Sequence, residues 1–371
     1  MTCNFLMCGA AALPLLLALP ANAQDNVPEG DPITVEAVTL HPSAGLMNDH
    51  VHDGGEFMIG LRYTRQAFDG PNRSGTDEIS DADILTAGYT RRATSMTMDM
   101  VMLDLMFAPS DNLTLMVMPH WMRHEMTMVG IDPMAGMDMG HGGMDHGDMD
   151  MGHGGHHSLG FGQTMTHATE GFGDTLVSAS FKFADTPALK AHGTLGVWLP
   201  TGAVDRRNGD GTFVHYGMQG GSGTLDIEPM LTVSGGGTGA FGWGAQASYR
   251  YRTSDANDSG FAFGDRAMVT GWTSYRASNA VSLTGRLALE SEGAIVGHYN
   301  GPHNHSAPSD RQENYGGDVV LAALGANFAL PVGGAMRPQL GLEAGVPIYQ
   351  DLNGIQVPQD WRLSVSLSQT F

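Results

Sequence analysis

The sequence predicts an all-β protein, a transmembrane antiparallel β-barrel of about twelve strands of the bacterial outer-membrane type. Three observations predict it. From about Gly55 onward, stretches of ten to fifteen residues alternate apolar and polar side chains. The gaps between these stretches are short and long in turn. The last stretch finishes on Phe371, as the terminal strand of an outer-membrane barrel does. A side-chain period of two turns one face of each strand to lipid and the other to the interior. Thus Trp361, Leu363, Val365 and Leu367 oppose Arg362, Ser364, Ser366 and Ser368. Phe241, Trp243, Ala245, Ala247, Tyr249 and Tyr251 likewise oppose Gln246, Ser248, Arg250 and Arg252. Val281, Leu283, Leu287 and Leu289 oppose Ser282, Thr284, Arg286 and Glu290. A soluble sandwich shows the same alternation. Strand length, aromatic strand ends and the rhythm of the connections decide for the barrel.

Residues 1–23 read as a secretory signal, with an apolar run from Ala10 to Pro20 and a small-x-small site at Ala21-Asn22-Ala23. Met1–Met7 holds no Lys or Arg, so an uncleaved anchor is the alternative. Cys3 and Cys8 both fall in this segment, which leaves the mature chain without a disulfide or a thiolate site. Residues 24–54 are acidic and turn-rich: a periplasmic tail, a short plug or both, and a place where a periplasmic partner would act. Residues 55–371 form the barrel. Its strands are expected at 55–67, 94–107, 113–128, 172–184, 189–200, 223–235, 240–253, 265–278, 281–292, 317–330, 337–348 and 359–371. The long connections 68–93, 129–171, 201–222, 254–264, 293–316 and 349–358 face outward, the short ones face the periplasm, and an even strand count leaves both termini there. The net charge of −21 disfavours nucleic acid. Membrane lipid and metal ions or small molecules are the expected partners.

Inside the connection 129–171, Met134–His157 reads MAGMDMGHGGMDHGDMDMGHGGHH. Glycine dominates and branched apolar residues are absent, so the tract cannot build a core. It offers Met134, Met137, Met139, Met144, Met149 and Met151 with His141, His146, His153, His156 and His157. Thioether sulfur suits Cu(I), imidazole suits Cu(II), and the methionine content favours copper over zinc or nickel. A solvated spacer is the alternative. The third strand continues the theme. Met116, Met118, His120, Met122, His124, Met126 and Met128 share one face, opposite Leu113, Leu115, Val117, Pro119 and Trp121. The second strand adds Met96, Met98, Met100, Met102, Asp104 and Met106 on its inner face. Neighbouring rungs bring side chains close enough to share an ion. Equally, methionine lines adaptable apolar passages. His50 and His52 form a His-x-His pair able to chelate, or simply begin the barrel as polar residues. His215, His298, His303 and His305 fall in outer loops and are expected to be solvated. Arg62, Asp104, Asp226, Glu228, Arg250, Arg252, Arg286, Glu290 and Arg362 are expected to pair across the lumen. No nucleophile–base pair, phosphate-cradling loop or paired-carboxylate signature stands out, so no enzyme and no required cofactor are expected.

Several local motifs carry a resemblance: His50-Val-His52 before Glu56–Tyr63, Asn72–Thr76, Met96–Met100, Ala108–Met116, Gly171–Asp174, Leu199–Gly202 and Met218–Thr224. In combination they are similar to the outer-membrane family named for the meta-pathway of phenol degradation, over about residues 45–235. That resemblance implies an outer-membrane barrel passing small, historically aromatic, molecules, and it brings no catalytic residues. The Met/His tract departs from it. The expected function is an outer-membrane channel or transporter for small solutes that handles copper through the outer tract and the inner Met/His ladder. A diffusion channel for small aromatic or apolar compounds, and a sealed barrel that sequesters copper at the surface, are the alternatives.

Overall fold

The computed structural model describes residues 38–371 apart from 39, 43, 135–158, 187, 237–238 and 331–337. The signal segment and all of the Met/His tract beyond Met134 lie outside the described residues. The chain forms twelve antiparallel strands. They are β1 (Phe57–Asp69), β2 (Arg91–Ser110), β3 (Leu113–Met118 and His120–Gly130) and β4 (Thr164–Phe172 and Thr175–Asp185). β5 (Lys190–Leu199), β6 (Asp226–Gly235), β7 (Phe241–Arg252) and β8 (Arg266–Arg276) follow. β9 (Val281–Glu292), β10 (Gly317–Ala329), β11 (Gln339–Gln356) and β12 (Gln359–Thr370) complete the wall. Each strand pairs with its neighbours in sequence, and β1 pairs with both β2 and β12, so the sheet closes on itself.

The predicted faces are observed. Leu61, Val117, Leu195, Leu231, Leu287, Leu324 and Val346 project outward and are exposed, although each is strongly apolar. That is the face lipid covers. Aromatic residues collect at the strand ends: Phe57, Phe107, Phe241, Tyr275 and Phe371 at one rim, Tyr249, Tyr251 and Tyr349 at the other. No described helix is long and apolar enough to cross a membrane.

Three details differ from expectation, each for a physical reason. Pro119 has no N–H to give to the ladder, and β3 breaks there. β4 starts at Thr164 rather than 172; its first outward residues, Thr164, Thr166, Ala168 and Glu170, are mostly polar and exposed, so no apolar alternation marks them. β11 continues past 348 to Gln356, and the connection expected at 349–358 shrinks to Val357-Pro358. Asp351, Asn353 and Gly354 read as turn residues, yet this end of β11 pairs with Arg73–Gly75 of the first outer loop. The outer loops also bury an aromatic cluster, with Tyr216 and Tyr299 stacked at 4.2 Å and Phe213 on Tyr299 at 4.2 Å.

Candidate functional site

The lumen is divided between two chemistries. One wall comes from β2, β3 and the start of β4. Cross-strand register places Met96 opposite Met126, Met98 opposite His124, Met100 opposite Met122 and Met102 opposite His120. Met58, Met106 and Met116 extend the same face toward the periplasmic rim. The facing wall is charged. Arg250 and Arg252 converge on Asp226, Arg266 and Arg362 clamp Glu290, and Arg286 meets Glu343. Of the charged groups expected to pair across the lumen, most instead pair between neighbouring strands, Arg62 on Asp104 included, and Glu228 accepts the Trp198 indole N–H.

A cavity of about 390 Å³ lies between the walls. Met98, Met100, Met102, Met122, His120 and His124 line it on one side, Arg250, Arg266, Glu290 and Arg362 on the other. His120 packs its ring edge toward Trp198, whose indole N–H donates to Glu228 at 2.7 Å. A Cβ on Gly173 would fall 2.1 Å from His120 Nε2, which is why the chain is glycine where β4 breaks. His120 Nδ1 is buried with no hydrogen-bond partner.

Residues 38–54 cross the inside of the barrel at its periplasmic end. Arg62 donates to the carbonyls of Ala44 and Leu46, Gln246 to those of Met47 and Asn48, and Asn327 to that of His41. His192 Nε2 lies 2.9 Å from the Asn48 carbonyl. These partners sit on β1, β5, β7 and β10, so the segment is tied to the barrel all round. Asn48 takes a left-handed φ of 53°, which asparagine tolerates. The turn brings Asp49 and His50 back beside His41. His41 Nδ1 and His50 Nδ1 each lie 3.1 Å from an Asp49 oxygen, and the three residues place ligand atoms within 4.8 Å of one another. His50 Nε2 faces His52 Nε2 at 3.2 Å, and His52 Nδ1 is 3.1 Å from Glu56. Both imidazoles are thus held at Nδ1 by carboxylates and converge through Nε2, an arrangement common around metal-binding histidines.

Burial alone would raise the Asp49 pKa, but the His50 and His41 imidazoles outweigh it and hold the carboxyl well below its usual range. Burial works against a charged His50, yet Asp49 raises it above the ordinary imidazole value. Burial, reinforced by His50, pulls His52 down to about 4. The signs differ. The Asp49 and His52 contributions to docking of this segment are present above their unfolded pKa values and fade as pH falls through the lowered ones. The His50 contribution is present below its unfolded value and fades as pH rises through the raised one. The His52 amide donates to Thr114 Oγ1 on β3 at 2.9 Å. Its hydrogen-exchange protection is therefore expected to peak near about pH 6.5, between the two opposing trends. Protection that rises or falls steadily with pH would contradict this.

Of the residues singled out from sequence, Met118, His120, Met122 and His124 meet at the cavity, and His50 and His52 meet below it. Met134 is exposed at the outer end, its amide bonded to Asp132. The residues Met137, Met139, His141, Met144, His146, Met149, Met151, His153, His156 and His157 lie outside the described residues. His215, expected to be solvated, is instead buried beside Met128 and Asp310. Sequence reading also passed over His41, His167 and His192, which carry no spacing signal and are brought in by chain reversal and strand register.

No family model and no curated protein matches the chain. Among solved structures it is similar to an outer membrane channel from Pseudomonas putida F1, with a TM-score of 0.55 at 14% identity over 87% of this chain and 98% of that one. A Pseudomonas aeruginosa FadL homologue matches with a TM-score of 0.39 at 10% identity, over 90% and 99% of the two chains. The Ralstonia pickettii toluene transporter TbuX matches with a TM-score of 0.38 at 7% identity, over 91% and 98%. The closed wall, the apolar outer belt and the first of these likenesses agree on the fold: the chain is a twelve-stranded β-barrel of the bacterial outer-membrane type.

Proposed function

We propose that the protein is an outer-membrane channel for small solutes that handles copper along its Met/His wall. The observation that carries the reading is the run of four consecutive rungs, Met96–Met126, Met98–His124, Met100–Met122 and Met102–His120. Thioether and imidazole alternate there along one face, three of the rungs at the cavity. Soft sulfur and nitrogen donors in series suit an ion that moves by ligand exchange rather than one held in a rigid cage. His120 Nδ1, buried without a partner, gains one if it meets a cation. On this reading residues 38–54 act as a plug, with His41, Asp49, His50 and His52 as the lower station of the route. The Met134–His157 tract is the outer capture element.

A second reading is favoured by a different observation. Met58, Met102, Met106, Met116 and Met118 pack with Leu176 and Trp198 into a buried apolar cluster, which is also how a passage for small aromatic solutes is lined. The phenol meta-pathway resemblance belongs with this reading. Titration calorimetry with Cu(I), Cu(II) and Zn(II) on the intact protein and on a Met134–His157 deletion tests the role of the tract. Copper binding is expected to drop sharply in the deletion, with zinc weaker throughout. Unchanged copper binding would remove the tract from the account.

A further inference from the structure

His215 descends from the loop between β5 and β6 and buries its ring against β3. It is 7% exposed, Asp310 is 6% exposed and Met128 is fully enclosed. His215 Nδ1 lies 2.7 Å from Asp310 Oδ1. The other Asp310 oxygen accepts the Ala307 amide at 2.9 Å and faces Arg91 at 4.0 Å. A carboxylate beside Nδ1 accepts its N–H and orients the ring, with the Ser309 hydroxyl 3.2 Å from the same nitrogen. His215 Nε2 points at the Met128 sulfur, 3.2 Å away.

Sulfur in a thioether has no proton to give. An imidazole nitrogen and a thioether sulfur, both donors that suit copper, thus meet in a buried place. A third donor is at hand. The His167 ring stands perpendicular to that of His215 with centroids 5.9 Å apart, on the strand position paired with Met126.

From this geometry we infer that His215, Met128 and His167 form a discrete site for one soft monovalent ion, Cu(I), at the outer end of the Met/His wall, with Asp310 as the positioning residue. The site deepens the copper reading and rests on it for the identity of the ion. It sits beside Gly130 and Thr164, where β3 ends and β4 begins. It is one step above the Met96–Met126 rung.

The test is Cu(I) titration of the full chain against a competing colorimetric Cu(I) chelator. Three variants are compared with the wild type: Met128→Leu, which keeps the volume, His215→Gln, and Asp310→Asn. Each is first checked for barrel folding by circular dichroism and heat-modifiable migration. The number of tightly held equivalents is expected to fall by one in Met128→Leu and in His215→Gln. Asp310→Asn should keep that equivalent but weaken it about 10–100-fold, as loss of an outer-shell partner does. Unchanged stoichiometry and affinity in folded Met128→Leu and His215→Gln would overturn the site. The same result combined with copper flux that still depends on the inner rungs would leave the passage reading standing. Loss of the equivalent with flux independent of the rungs would retain the site and refute the passage.

Discussion

Glu343→Ala is expected to destabilise the barrel by about 3–5 kcal/mol, the cost of stranding a buried charge. Arg286 grips Glu343 with two donors, Nη2 at 2.5 Å and Nε at 3.1 Å, and the two side chains are 2% and 3% exposed. They join β9 to β11 on the lumen face and also receive residues 38–54. A Cβ on Gly45 would fall 1.8 Å from a Glu343 oxygen, so the segment rests directly on the pair. Removing the carboxylate leaves the guanidinium facing the lumen without its counter-charge. Removing both charges is different. Arg286→Leu with Glu343→Leu is expected to recover most of the loss, because a buried pair contributes little over well-packed apolar groups. Reversible denaturant unfolding in detergent micelles or vesicles measures both. A loss below about 1 kcal/mol for Glu343→Ala would mean that the pair behaves as a solvated surface bridge.

The wall of the barrel was legible because lipid on one side and a polar lumen on the other impose a period of two. Every strand that crosses the apolar belt shows it, from Phe57 to Thr370. Legibility stopped where that contrast stops. The first half of β4 and the last part of β11 carry polar residues on their outward faces, and they were read as loops although they pair as strands. The Met/His face of β3 was visible for the same reason as the wall, since its alternation with Leu115 and Val117 is local. The two histidine stations were not equally visible. His50 and His52 share a face by spacing alone. His41 joins them only through the reversal at Asn48, and His215 reaches Met128 only because an outer loop folds inward. Contacts made by loops across the lumen leave no periodic trace in sequence.

The second large effect concerns the wall itself. Met98→Leu, Met100→Leu and Met122→Leu together preserve apolarity and nearly preserve volume, so folding should cost little. They remove three sulfurs from the cavity face and leave the charged wall untouched. Under the copper reading the ion then loses its successive soft ligands. Under the aromatic reading nothing essential changes, since leucine and methionine offer similar surface.

The decisive measurement is Cu(I) entry into vesicles that enclose a Cu(I) chelator, with wild type and the triple leucine variant inserted at equal density. Wild type is expected to admit Cu(I) well above protein-free vesicles, and the variant to fall to that background while its small-ion conductance is unchanged. Equal Cu(I) entry through both proteins would contradict the account.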